Sequence, residues 1–69
     1  MKISARNQLK GTVESIETGA VTSIVAINIG NSIIKASITN DAVNDLGLKV
    51  GDTAYAIVKA SNVVVGVDH

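Results

Sequence analysis

Apolar and polar residues alternate along most of the chain, and turn residues divide the alternation into short segments. Five segments are predicted as β-strands, at about residues 8–16, 20–29, 32–39, 53–59 and 62–67. In the second segment Val25 and Ile27 stand on one face while Ile24 and Ala26 stand on the other. Apolar residues on both faces are typical of a strand that is covered on both sides.

Because the chain contains no proline, the turns are marked by Gly, Asn and Asp. Residues 17–19 are predicted to form the turn between the first two strands. Gly30 and Asn31 form a two-residue signal that predicts a direct hairpin between strands two and three. Ala60 and Ser61 separate the last two strands.

The periodicity changes from strand to helix after residue 39. Asn40 is a suitable N-cap, Val43 and Leu46 share a helical face, and Gly47 is suited to a left-handed C-terminal position. We therefore predict a short helix of about two turns between strands three and four.

Three strands, one short helix and two further strands form the predicted order of elements. In a chain of 69 residues, this order predicts an all-β fold: a five-stranded barrel like those that bind oligonucleotides or oligosaccharides (OB-like). An open sheet packed on one helix is the alternative. Since no linker or repeat divides the chain, residues 1–69 are predicted to form a single domain.

The length and composition of the chain indicate that one copy needs further stabilisation. A chain of 69 residues is near the lower limit for a self-sufficient core, and without cysteine it has no disulfide to help, so oligomerisation is expected. Six basic and six acidic side chains cancel, which disfavours nucleic acid or a membrane surface as partner. No apolar run approaches the ~20 residues of a membrane span, and the first ten residues lack a secretory signal, so a cytoplasmic protein is predicted.

The side chains offer little for catalysis. The only histidine, His69, is the last residue and is expected to be a solvated tail, and the acidic residues fall in turns or on the helix surface. We therefore predict no enzyme activity, no cofactor and no directly ligated metal. A single-stranded nucleic-acid-binding module is the alternative function for this class of barrel, but Tyr55 is its sole aromatic residue for stacking.

Hydrogen-bond donors are concentrated in two places. Residues 4–11, SARNQLKG, carry a hydroxyl, a guanidinium, an amide and an ammonium group. Residues 58–63, VKASNV, carry Lys59, Ser61 and Asn62 around a small Ala60. Together the two segments indicate a local anion site.

Four stretches carry a resemblance to a known family: SARNQLKGTV at residues 4–13, IKASIT at 34–39, LGLKVGD at 46–52 and VKASNVVVG at 58–66. In this order they resemble the molbindins, and in particular the small single-domain members of the clostridial type. The resemblance implies an OB-like barrel that binds molybdate or tungstate and assembles into a homohexamer, a trimer of dimers, with oxyanions held at subunit interfaces.

The resemblance also implies which residues bind the oxyanion. One class of site is carried over to Ser4, Ala5, Arg6, Thr39, Lys59, Ala60 and Ser61. A tetrahedral dianion presents only acceptors, so these hydroxyls, cations and backbone N–H groups suit it. Storage or buffering of the oxyanion, without catalysis, is the predicted function. The family's second class of site, near the threefold axis, is not assigned to residues.

Overall fold

The computed structural model describes residue 1 and residues 3–68, so the expectation for His69 falls outside it. Within these residues the chain forms β1 (Asn7–Thr18), β2 (Thr22–Asn28), β3 (Ile33–Thr39), α1 (Asn40–Leu46), β4 (Thr53–Val58) and a 3-10 turn (Ala60–Asn62). The predicted order of strands and helix is confirmed as far as β4. No helix in this part of the chain is long and apolar enough to cross a membrane.

The sheet is antiparallel, with strand order β3-β2-β1-β4. Its long strand β1 pairs with β4 over residues 7–12 and with β2 over residues 12–18. A bulge at Glu14, between Val13 and Ser15, interrupts the second pairing. A bulge bends the strand that carries it and increases its twist. The change of partner and the bulge together curl the sheet into a half-barrel, which agrees with the predicted OB-like class.

The two hairpin turns differ in how well the sequence predicted them. The Gly30-Asn31 turn is confirmed: the Ile29 N–H donates to the Ser32 carbonyl at 2.9 Å, and Gly30 has a φ of 120° that favours glycine. The prediction of a turn at residues 17–19 was wrong. Because the β1–β2 ladder continues to Thr18, the turn follows it, and the Gly19 N–H donates to the carbonyl of Thr22 at 2.9 Å.

Helix α1 forms where it was predicted, but its N-cap was assigned to the wrong residue. The Thr39 hydroxyl caps the helix by accepting a bond from the Ala42 N–H at 3.1 Å. Asn40 instead uses its side chain for tertiary contacts: it accepts from the Ser23 hydroxyl and donates to the Gly19 carbonyl at 3.0 Å. The left-handed C-terminal residue Gly47 is confirmed, with a φ of 63°.

The buried core lies between β1, β2 and β4. Among the described residues it consists of Val13, Val25, Ile27 and Ala56, with half-buried apolar residues packed around it. Since Ala26 on the opposite face of β2 is also buried, the prediction that β2 is covered on both sides is confirmed. A single copy of the chain therefore buries few large apolar side chains completely.

Gly11 lets β1 approach β2 closely. A Cβ atom at this position would lie 2.4 Å from the Asn28 carbonyl oxygen and 2.8 Å from Cγ2 of Ile27. Any larger residue would therefore have to push the two strands apart.

The predicted fifth strand, residues 62–67, is not present in the described structure. The chain instead makes the 3-10 turn Ala60–Asn62, and residues 63–68 continue without regular structure. A strand is stabilised by pairing, and this segment pairs with none of the four strands of the sheet. We call residues 63–67, VVVGV, the C-terminal segment.

Without a fifth strand, the half-barrel remains open between its two outer strands, β3 and β4. A cleft of about 470 Å³ lies there, which we call the apolar cleft. The residues that line it include Val25, Ile27, Ala36, Ile38, Ala54 and Ile57.

Candidate oxyanion-binding site

The two donor segments found in the sequence lie at the same end of the sheet. Asn7, the first residue of β1, pairs with Val58, the last residue of β4. Residues 4–6 directly precede this pair and residues 59–61 directly follow it. The antiparallel pairing of β1 and β4 therefore brings together six of the seven predicted site residues.

The N-terminal segment is held by a side chain that the sequence analysis did not single out. Gln8 donates a hydrogen bond from Nε2 to the Ala5 carbonyl at 3.0 Å. Ala5 is half-buried, whereas Ser4 and Arg6 are exposed. The signal was available, because Gln8 directly follows the SARN motif. Its amide shapes the segment from which the hydroxyl of Ser4 and the guanidinium of Arg6 project.

The second donor segment is part of the 3-10 turn. Lys59 caps this turn, and the turn's own bonds run from the Asn62 N–H to the Lys59 carbonyl at 2.9 Å and from the Val63 N–H to the Ala60 carbonyl at 3.2 Å. These bonds do not use the N–H groups of Ala60 and Ser61. Main-chain N–H groups, a hydroxyl and an ammonium group are thus offered within three consecutive residues.

Thr39, the seventh predicted site residue, lies at the other end of the sheet. It pairs with Thr22 at the end of the sheet where β1 finishes, whereas the donor segments flank Asn7 at the beginning of β1. β1 has 12 residues, and at ~3.3 Å per residue its contour spans roughly 36 Å. One copy of the chain therefore does not bring Thr39 to the other six site residues.

The Thr39 hydroxyl remains chemically suited to an anion. Its oxygen accepts the bond from the Ala42 N–H, and a hydroxyl that accepts in this way still has its proton to donate. Thr39 is exposed, as are the donors Ser4, Arg6, Lys59 and Ser61. Water weakens the attraction between charges. Burial of these groups under another protein surface would therefore strengthen the attraction of the site for an anion.

A second cleft, of about 480 Å³, lies along the middle of β1 and is less suited to a dianion. It is lined by Lys10 and Thr12 but also by Glu14, whose carboxylate accepts a bond from Asn28 Nδ2 at 3.2 Å. A carboxylate repels an oxyanion. In the part of the chain that is described, no group of three His, Cys, Asp or Glu residues could hold a metal ion.

Several known proteins are similar to this chain in sequence. The model of the TOBE domain family matches residues 3–65. A probable molybdenum-pterin-binding protein of Haemophilus influenzae is 55% identical over 69 residues, which cover 99% of this chain and all of that protein.

Solved structures show the same fold. MopII from Clostridium pasteurianum superposes with a TM-score of 0.90 at 42% identity, over 96% of this chain and 100% of MopII. The cytoplasmic molybdate-binding protein ModG, solved with molybdate bound, gives a TM-score of 0.92 at 48% identity. This match covers 99% of the present chain and 49% of ModG, so the chain spans about half of that protein. The resemblance found in the sequence is thereby confirmed, and the chain belongs to the TOBE domain family and, within it, to the molbindins.

Proposed function

We propose that the chain binds molybdate, and also tungstate, as intact oxyanions and stores or buffers them without catalysis. The names of its relatives support this proposal: the Haemophilus influenzae protein is called molybdenum-pterin-binding, and ModG was solved with molybdate bound. Residues 1–69 act as one oxyanion-binding domain that needs no cofactor.

The observation that carries the proposal is the pairing of Asn7 with Val58. Because of this pair, Arg6 and Lys59 leave the sheet at one end, accompanied by the hydroxyls of Ser4 and Ser61. Two cations match the two negative charges of the ligand, and charge-assisted hydrogen bonds are about twice as strong as neutral ones. Since molybdate and tungstate present the same acceptors, both ions suit this set of donors.

The site is completed at an interface between copies of the chain. Six donors come from one copy and Thr39 comes from another, because the two groups stand at opposite ends of β1 in a single chain. The small core and the open half-barrel support assembly, which we propose to be a homohexamer, a trimer of dimers. A ligand that binds only the assembled form also stabilises it by mass action.

The proposed partners are limited to the oxyanion and further copies of the chain. Tyr55 is the single aromatic side chain and the net charge is zero, which disfavours stacking on nucleic acid and attraction to a membrane surface. The likeness to ModG, which is described as cytoplasmic, supports a cytoplasmic location.

The test is calorimetric titration of the full chain with molybdate in an excess of sulfate, followed by native mass spectrometry of the same sample. We expect tight, sulfate-resistant binding and the mass of a hexamer that carries bound oxyanion. The absence of both heat and bound ion would overturn the proposal, and single-stranded DNA would become the next probe.

Site variants localise the binding. Arg6→Ala and Lys59→Ala each remove a charged donor, and we expect a loss of affinity of ~10–100-fold from each. Lys49→Ala is the matched control, because Lys49 is an exposed lysine between α1 and β4, outside both donor segments. Equal affinities for the Lys59 and Lys49 variants would remove Lys59 from the site.

A further inference from the structure

Ser23 is a polar residue in the interior of the fold. It belongs to β2 and is 1% exposed. A buried hydroxyl without a hydrogen bond would cost free energy, and the Ser23 hydroxyl donates to Oδ1 of Asn40, the first residue of α1. Because this bond joins residues 17 positions apart in the chain, it ties the start of the helix to the sheet.

Asn40 makes two further hydrogen bonds, both to the turn that joins β1 and β2. Its Nδ2 donates to the Gly19 carbonyl at 3.0 Å, and its backbone N–H donates to the Val21 carbonyl at 2.8 Å. Asn40 is half-buried. Three hydrogen bonds, one to β2 and two to the turn, therefore hold both the side chain and the backbone of Asn40.

These bonds determine which residue caps α1. Asn is at least as good an N-cap as Thr, but the Asn40 side-chain oxygen is engaged by Ser23. The Thr39 hydroxyl takes the cap instead and accepts from the Ala42 N–H at 3.1 Å. The cap fixes the Thr39 oxygen relative to the helix, Asn40 fixes the helix relative to the sheet, and the hydroxyl proton is left to donate.

The place of Thr39 in the fold explains why it needs this support. Thr39 is exposed and ends β3, an outer strand that in the described sheet pairs with β2 alone. Strand ends fray more readily than strand centres. Without its three bonds, the start of α1 is free to move away from β2, and the Asn40 oxygen is free to compete with Thr39 for the cap. Either change displaces the Thr39 hydroxyl.

We propose that Asn40 is a positioning residue of the oxyanion site, which acts by holding the Thr39 hydroxyl where it donates to the ligand. This inference rests on the proposed function, in which Thr39 of one copy completes a site whose other donors come from a second copy. A hydrogen bond weakens steeply as its geometry departs from the ideal, so a donor contributes fully only when its neighbours hold it in place.

A double-mutant cycle on the affinity for molybdate tests this inference. Thr39→Val removes the hydroxyl at nearly constant volume, and we expect a loss of ~10-fold in affinity. Asn40→Ala removes the side chain that holds Thr39, and we expect a loss of ~3–10-fold. The double variant should bind no more weakly than Thr39→Val by itself, because Asn40 then has no hydroxyl to position. Multiplied losses in the double variant, or an unchanged affinity in Asn40→Ala, would overturn the inference.

Unfolding measurements separate this role from a purely structural one. Asn40→Ala should lower the free energy of unfolding with or without Thr39→Val, since Ser23 loses its partner in both cases, whereas its effect on affinity should vanish in the Thr39→Val background. Asn44→Ala is the matched control, because Asn44 is an exposed asparagine of the same helix, and it should leave the affinity unchanged. Equal losses of affinity for Asn44→Ala and Asn40→Ala would contradict the assignment.

Ser23→Ala provides a second route if Asn40→Ala does not fold. It removes the hydroxyl that engages Asn40 and adds no bulk, and we expect a smaller loss of affinity that again disappears in the Thr39→Val background. Titration of the unmodified chain comes first. Absence of binding there would overturn the proposed function and this inference with it, whereas binding by the unmodified chain and equal binding by Ser23→Ala would overturn the inference alone.

Discussion

β2 and the C-terminal segment have similar residues in opposite surroundings. In β2, Val25 and Ile27 are 1% and 5% exposed because β1 and β3 flank the strand on either side. In the C-terminal segment, Val64 is 92% exposed, and residues 63–67 pair with no strand of the sheet. A run of β-branched residues therefore predicts a strand, but whether that strand finds a neighbouring strand to pair with depends on the topology of the sheet.

The largest effect is expected from a charge in β2. Val25→Asp places a carboxylate where the side chain is 1% exposed, at a cost of several kcal/mol. Since a small domain has only ~5–15 kcal/mol of total stability, we expect the variant to lose its cooperative unfolding transition, measured by circular dichroism during heating. Val64→Asp, its counterpart in the C-terminal segment, should keep a transition. A native-like transition in the Val25 variant would contradict the assignment of β2 to the core.

A smaller effect is expected where β1 approaches β2. Gly11→Ala places a methyl group against the Asn28 carbonyl, and we expect a loss of ~1–3 kcal/mol in the free energy of unfolding, measured by denaturant titration at fixed protein concentration. Gly66→Ala is the matched control in the C-terminal segment, because a Cβ there meets nothing within 4 Å. Equal losses for both variants would show that the close approach is not what requires glycine at position 11.

The smallest of the three effects concerns the cap of α1, the helix that follows β3 beside the apolar cleft. Thr39→Ala removes the acceptor for the Ala42 N–H and should lower the free energy of unfolding by ~1 kcal/mol. Thr39→Ser keeps the hydroxyl and should restore most of this stability and, on the proposed function, the affinity for molybdate as well. If the serine variant recovers stability but not affinity, Thr39 contributes more to the site than its hydroxyl.

Most of the fold was predictable because its signals are local. The alternation in β1 to β4 and the Gly30-Asn31 hairpin follow from neighbouring residues, and so does the left-handed Gly47. The errors arose where tertiary contacts prevailed. Asn40 was available as an N-cap, but the buried hydroxyl of Ser23 engages its side chain, and Thr39 takes the cap. The predicted fifth strand is absent because residues 63–68 pair with no strand of this sheet.

For the candidate site, the sequence predicted donor segments that the fold places together, while their binding of an oxyanion stays a prediction. The motifs identified the two donor segments, and the antiparallel pairing that joins them follows from alternating strands. Local patterns give no distance between Thr39 and Arg6, because that depends on where β3 joins the sheet. The hydrogen bond from Gln8 to the Ala5 carbonyl was also not predicted, because many glutamine side chains are simply solvated.

Val13 marks the point where β1 changes partners, and this junction has a consequence for how the domain opens. Its N–H donates to the Asp52 carbonyl at 2.8 Å and its carbonyl accepts from Gly51 at 2.8 Å, while the residue pairs with Ile27 on the other side. The Val13 N–H has Asp52 as its acceptor, so fraying of β3 or of the C-terminal segment leaves this bond in place, whereas separation of residues 51–52 from β1 breaks it. The exchange rate of the Val13 amide hydrogen should therefore report, at a single residue, how often residues 51–52 separate from β1.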